Sequence, residues 1–212
     1  MTKVELSQET RLTISQAKNI EIEKIKGSRF LGFAYPLANI EDMEMAVKKL
    51  WEEHPDACHV CWAYRGSTPN VIRAVDDGEP SGTAGKPILK VIEGKGLESV
   101  GVAIVRYFGG TKLGTGGLAR AYSNATQAVL EECEKKHLKL KCNLSIMIPY
   151  SFEGSLLYLL AQQKAQIIDR EYTEIVNITA TLLVEHSSFV CNEIIERTSG
   201  KGIIKKSEDF WA

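Results

Sequence analysis

Three carboxylates, two arginines, a lysine and a histidine stand close to a dense block of glycine in this 212-residue chain. The block opens Asp76-Asp77-Gly78-Glu79-Pro80-Ser81-Gly82-Thr83-Ala84-Gly85-Lys86-Pro87. It closes Arg106-Tyr107-Phe108-Gly109-Gly110-Thr111-Lys112-Leu113-Gly114-Thr115-Gly116-Gly117-Leu118-Ala119-Arg120-Ala121-Tyr122. Eleven of the seventeen glycines fall between Gly78 and Gly117, and a chain concentrates this entropically costly residue where backbone takes positive φ or must be closely approached. Glycines ahead of a helix leave N–H groups pointing at an anion, and the helix dipole favours negative charge there. Arg106, Lys112 and Arg120 could add charge-assisted bonds to a phosphate, with Gly109, Gly110, Gly114, Gly116 and Gly117 letting it come close. No Gly-Lys-Ser/Thr closes the loop, so it is not a P-loop, and it lacks the order and later acid of a dinucleotide fingerprint. On spacing alone, anion binding and plain turn geometry are equally open.

Asp76, Asp77 and Glu79 could bind a divalent cation through oxygen ligands. Alternatively they form a turn whose carboxylates bond local N–H groups or pair with Arg106 or Arg120. The turn is the fuller account, because no further ligand-spaced carboxylates follow. Cys58-His59-Val60-Cys61 suggests a metal, yet on a strand His59 and Cys61 face one side and Cys58 the other, and no second ligand pair appears among the remaining cysteines and histidines. Neither a metal site nor a cofactor is therefore expected. A thiol nucleophile partnered by His59 stays geometrically open, without a nameable oxyanion hole or orienting acid.

The elements that must hold these residues read as follows. Residues 1–18 suggest a short helical or frayed leader. Asn19–Gly27 alternates as a strand, Gly27-Ser28 turns, and Arg29–Leu37 pairs back. Asn39 caps a helix from Ile40 to Glu53. Ala57–Tyr64 and Val71–Val75 are further strands, and Ser81 or Thr83 caps a short helix reaching Ile92. Val100–Phe108 is a near-continuous apolar run, the pattern of a strand buried on both faces. A helix from Gly116 to Lys136 follows, with Leu118, Ala121, Tyr122, Ala125, Val129 and Cys133 on its buried stripe. Beyond it the order is strand (139–150), helix (152–164), strand (166–173), strand (175–185), helix (187–199), strand (201–207). That is a β-α-β-β-α-β run, the ferredoxin-like split motif. Phe210-Trp211 is expected to dock on a domain surface.

Composition sets the class. At 44% hydrophobic and 25% charged residues, the chain matches an ordinary globular protein large enough for one or two cores. A net charge of −1 argues against coating nucleic acid by bulk electrostatics. Residues 86 to 120 nonetheless hold six cations against two carboxylates, a local excess that serves as a binding patch or a solvated face. The N-terminus has no signal-peptide core and no run suits a membrane span. Five cysteines without disulfide-like spacing fit reduced thiols, so the expected location is cytoplasmic.

Both glycine-loop motifs, with Lys26-x-Ser28-Arg29-Phe30 and His54-Pro55-x-Ala57-x-His59-x-Cys61-x-Ala63-Tyr64, resemble the IMPACT family in its two-domain bacterial branch. The resemblance spans nearly the whole chain. It implies an α+β protein: an IMPACT-type N-terminal domain over 1–137, like domain 2 of ribosomal protein S5, and a ferredoxin-like C-terminal domain over 138–212, similar to domains of elongation factor G. Eukaryotic relatives regulate translation initiation through an extra N-terminal domain for which this chain has no room. What the resemblance leaves is a link to translation or RNA. The leading expectation is a non-enzymatic protein that binds RNA or a ribosome-associated surface through Arg106, Lys112, Arg120 and the glycine loops. The alternative is an enzyme for a small phosphorylated or peptide-like substrate, with Asp76, Asp77 or Glu79 as acid or base and His59 nearby.

Overall fold

Residues 11–67 and 70–212 are described by a computed structural model. The chain divides into two compact units, Met1–Leu138 and Lys139–Ala212, and its architecture is mixed α+β.

The first unit is organised around β6 (Val100–Tyr107), in which Val100 to Arg106 are all buried. An apolar run of that kind needs cover on both faces, and it has it. The five-stranded sheet runs β2 (Lys18–Glu21), β3 (Arg29–Pro36), β6, β4 (His59–Arg65), β5 (Ile72–Val75), with antiparallel neighbours throughout. One face packs on α1 (Ile40–Glu53), where Met43 and Leu50 meet Val60, Trp62, Tyr64, Ala103 and Val105. Asn39 caps that helix as expected, accepting the Asp42 N–H at 2.8 Å. The other face packs on α2 (Gly85–Gly94) and α3 (Thr115–Glu131), joining Val102 and Ile104 to Ile88, Ile92, Ala121 and Tyr122.

Three local expectations need correction. The leader lies outside the described residues up to position 10, and beyond that it is extended: Leu12–Ile14 forms β1, paired antiparallel with β7 (Lys135–His137). Their ladder bonds also explain why α3 stops at Glu131 rather than reaching Lys136. Lastly, the α2 N-cap is Ala84, not Ser81 or Thr83.

In the second unit β8 (Leu140–Ile148), α4 (Glu153–Gln162), β9 (Gln166–Tyr172), β10 (Val176–Leu183), α5 (Val184–Arg197) and β11 (Ile203–Lys206) succeed one another. Their sheet order is β11-β8-β10-β9, all antiparallel. Alternate residues Cys142, Leu144, Ile146 and Ile148 of β8 bury against Leu156, Leu160, Val190 and Ile194 of the two helices. The tail Phe210–Trp211 is itself a short strand, β12, on the end of β8. Among the described residues no helix is long and apolar enough to cross a membrane.

Candidate functional site

Strand register assembles the site. Phe30 of β3, Arg106 of β6 and His59 of β4 are direct cross-strand partners, so the three side chains form one row on the face covered by α2 and α3. The loop after β5 brings in Asp76, Asp77 and Glu79, and α3 brings in Tyr122. Arg106 is only 5% exposed and Glu79 8%, and the two form an ion pair from Nη1 to Oε1. The Tyr122 hydroxyl donates to the same Glu79 oxygen at 2.8 Å. The Cys61 thiol lies 2.9 Å from the Asp76 carbonyl oxygen and 3.3 Å from Tyr122 Oη. Burial, reinforced by Cys61 and Glu79, pushes the Tyr122 phenol far up, so it stays a donor. Burial likewise raises the Cys61 thiol, against the lowering effect of the Tyr122 bond. A buried thiol held protonated is no nucleophile, which removes that role from Cys61.

Pairing with Arg106 falls to Glu79; Asp76 and Asp77 are turned to backbone. Asp77, at φ +46°, accepts the Val60 N–H at 2.6 Å through its carboxylate, while its carbonyl oxygen is 2.8 Å from His59 Nδ1. Gly78 at φ +84° sits under the His59 ring, where a β-carbon would come 3.4 Å from Nδ1. Asp76 accepts three N–H groups, from Gly82 at 2.7 Å and from Ala84 and Gly85 at 2.9 Å each. It thus caps α2 from nine residues upstream of Gly85, serving donors that the helix itself leaves unpaired.

Burial alone would raise the Asp76 pKa, but the bonds from Gly82, Gly85 and Ala84 overcome it and hold the carboxyl below its ordinary 3.8. A folded-state pKa below the unfolded one means stability that is complete above 3.8 and drains away as pH falls toward the folded value. Asp76→Asn turns an amide donor toward backbone donors and is expected to cost about 1–3 kcal/mol at neutral pH. Urea unfolding across the acid range should show a shallower loss on acidification in the variant than in the wild type.

The second glycine loop is pinned at one point. A β-carbon on Gly109 would lie 1.9 Å from the Gly27 carbonyl carbon and 2.1 Å from the Ser28 nitrogen. The Gly109 N–H donates to the buried Ser28 Oγ at 3.1 Å. This brings Lys26, exposed at φ +48°, into the neighbourhood of the loop. Lys112, Arg120, Gly110, Gly114 and Gly116 are exposed, Gly109 and Gly117 half-buried. Among the described residues no group of three His, Cys, Asp or Glu could hold a metal ion.

Residues 26–130 match the Impact N-terminal domain, and 146–201 match a domain of unknown function, DUF1949. A protein of Haemophilus influenzae described as an IMPACT family member is 32% identical over 195 residues, covering 88% of this chain and 92% of its own. The chain belongs to the IMPACT family. The IMPACT family member YvyE of Bacillus subtilis is 31% identical, with 92% of this chain and 90% of its own covered. The IMPACT family member YigZ of Escherichia coli is 33% identical, covering 76% and 80%. A solved crystal structure of a hypothetical protein matches with a TM-score of 0.77 and 28% identity, across 94% of this chain and 98% of that one. The Impact N-terminal match contains the whole row of Phe30, His59 and Arg106, with Glu79 and Tyr122.

Within this IMPACT domain the fold brings together His59, Asp76, Asp77, Glu79 and Arg106. Sequence reasoning missed Tyr122 and Ser28 as polar members of the site, and it offered as a nucleophile the Cys61 thiol that the fold buries against the Asp76 carbonyl and Tyr122. A signal for Tyr122 existed, since a tyrosine on an otherwise small and apolar stripe must find a partner for its hydroxyl.

Proposed function

We propose that this IMPACT family chain binds RNA or a ribosome-associated surface by holding backbone phosphates at the start of α3. The carrying observation is a contrast between two helices that each follow a glycine loop. The α2 N-terminus is filled by the carboxylate of Asp76. The α3 N-terminus has no side-chain cap and no acid in its first turn, while Lys112 and Arg120 lie exposed before and within it. Free N–H groups, a positive dipole end and two cations favour a phosphate. Arg106, being buried against Glu79, shapes this surface from beneath, and the exposed Phe108 offers a face for stacking a base.

In this proposal the N-terminal unit is S5 domain 2-like and the C-terminal unit ferredoxin-like, resembling domains of elongation factor G. The strand order β11-β8-β10-β9 within a β-α-β-β-α-β succession supports the second assignment. The setting is cytoplasmic and the role a regulator of translation, resting on fold kinship. The enzyme reading is the weaker one, because Asp76 and Asp77 are engaged with backbone N–H groups rather than free as acid and base.

Binding to a labelled single-stranded RNA should weaken steeply with salt. Lys112→Ala/Arg120→Ala should make the plot of log affinity against log salt shallower by about 1.4, roughly 0.7 for each lost phosphate contact. An unchanged slope, or RNA binding indifferent to salt in the wild type, removes the proposal.

A further inference from the structure

The Arg106 guanidinium lies near two phenyl rings, with Cζ 5.6 Å from the centre of Phe30 and 5.7 Å from that of Phe108. Phe30 is buried, whereas Phe108 is 48% exposed, so Phe108 is the solvent-side cover. Nη1 is bonded to Glu79, but Nε, sealed from solvent, has no partner among the described residues. Native proteins seldom leave a buried donor of this kind unmet. Its cross-strand partner His59, with 23% of its side chain exposed, supplies the second group. A carbonyl oxygen can only accept, so His59 Nδ1 carries the hydrogen given to Asp77, and in the neutral ring Nε2 is the acceptor. That Nε2 faces Glu79 Oε1 at 3.9 Å, too far for a hydrogen bond.

We infer that Arg106, His59 and Glu79 form a binding site for one phosphate group, covered in the free protein by Phe108. The site offers a donor at Arg106 Nε and an acceptor at His59 Nε2, the Glu79 Oε1 being taken by Arg106 and Tyr122. A phosphate carrying both a negative oxygen and a P–OH matches that pair, accepting from the guanidinium and donating to the imidazole. A sulfate has the negative oxygens and no hydrogen to give at neutral pH, so it meets an acceptor with an acceptor. The access route in this inference is rotation of the Phe108 side chain. Phe108 is half exposed and lies just past the end of β6, two residues after Arg106, with its ring centre 5.7 Å from the guanidinium. The next residue, Gly109, stays anchored to Ser28. The site borders the α3 surface proposed above and shares Phe108 with it, but uses neither Lys112 nor Arg120; its phosphate is a free or small-molecule phosphate, or the 5′ end of an RNA.

Calorimetric titration of the full chain at neutral pH and constant ionic strength, with inorganic phosphate and then with sulfate, tests it. Phosphate is expected to bind at least about tenfold more tightly than sulfate, since the site's acceptor goes unpaired with sulfate. Phe108→Ala should bind phosphate more tightly than wild type by removing the cover. His59→Ala and Arg106→Lys should each weaken it about tenfold or more; the lysine keeps a cation beside Glu79, and circular dichroism checks that both variants fold. A 5′-phosphorylated oligoribonucleotide that outbinds its 5′-hydroxyl form only while His59 is present identifies an RNA end. Equal binding of the two forms, with free phosphate still bound, identifies a small phosphate. In a Lys112→Ala/Arg120→Ala background, which removes the cations of the α3 surface, inorganic phosphate binding should still depend on His59, so failure of the RNA reading is read separately. Equal affinity for phosphate and sulfate, phosphate binding unaltered in folded His59→Ala, or no binding by either wild type or Phe108→Ala overturns the inference.

Discussion

Glu79→Ala is expected to destabilise the N-terminal unit by about 3–5 kcal/mol, the range for removing one partner of a buried ion pair. The side chains of Arg106 and Glu79 are 6% and 3% exposed, so water cannot take over the lost contact. The substitution leaves a buried cation without its anion and also takes the acceptor from Tyr122. Urea unfolding followed by the fluorescence of Trp51 and Trp62, in a Trp211→Phe background, would report this unit alone. The double variant Glu79→Leu/Arg106→Met removes both charges and should recover much of the loss, because apolar replacement of a buried pair is often neutral. A single substitution costing under about 1 kcal/mol would place the pair among surface-like contacts and contradict its burial.

The second large effect belongs to Gly109→Ala, expected to cost about 3 kcal/mol or more, the upper end for overpacking. Its β-carbon would fall within 2.1 Å of two backbone atoms, in Gly27 and Ser28, and no rotamer change can relieve that. Gly116→Ala supplies the contrast. Nothing lies within 4 Å of its added β-carbon, and it is inside α3. It should be neutral or stabilising by up to about 1 kcal/mol, since alanine loses less entropy in a helix than glycine. Thermal unfolding of the two variants side by side would check this; equal effects would mean that the Gly27–Gly109 contact does not hold the loop.

That contrast shows where the sequence was legible and where it was not. The glycine block announces itself by composition, yet nothing in its spacing says that Gly109 touches Gly27, because that contact joins segments more than eighty residues apart. Val100–Phe108 was readable as a doubly buried strand since its apolar run is continuous, and Asn39 was readable as a cap since capping is local. β1 and β7 were not, because Lys135–His137 has no period of its own and becomes a strand through Leu12–Ile14. Within the site, Arg106 and the acidic loop stood out by type. Which acid meets the arginine depended on the turn at Asp77-Gly78, where positive φ at both residues directs Glu79 inward. Asp76 looked equally suited to an arginine, and its service to α2 came from a three-dimensional return of the chain.

β6 belongs to two cores at once, one under α1 and one under α2 and α3. Arg106 is therefore fixed to the strand with the least freedom to leave, while Phe108, just past its end, keeps one side in water. The lifetime of the site and the speed of access to it are thereby separated. Losing the arginine's position requires the whole unit to unfold, an event on the slow timescale of global opening. Uncovering it requires one ring to turn, a motion of half-exposed side chains that takes nanoseconds or less. The protein can keep its charged row permanent and still let it be visited quickly.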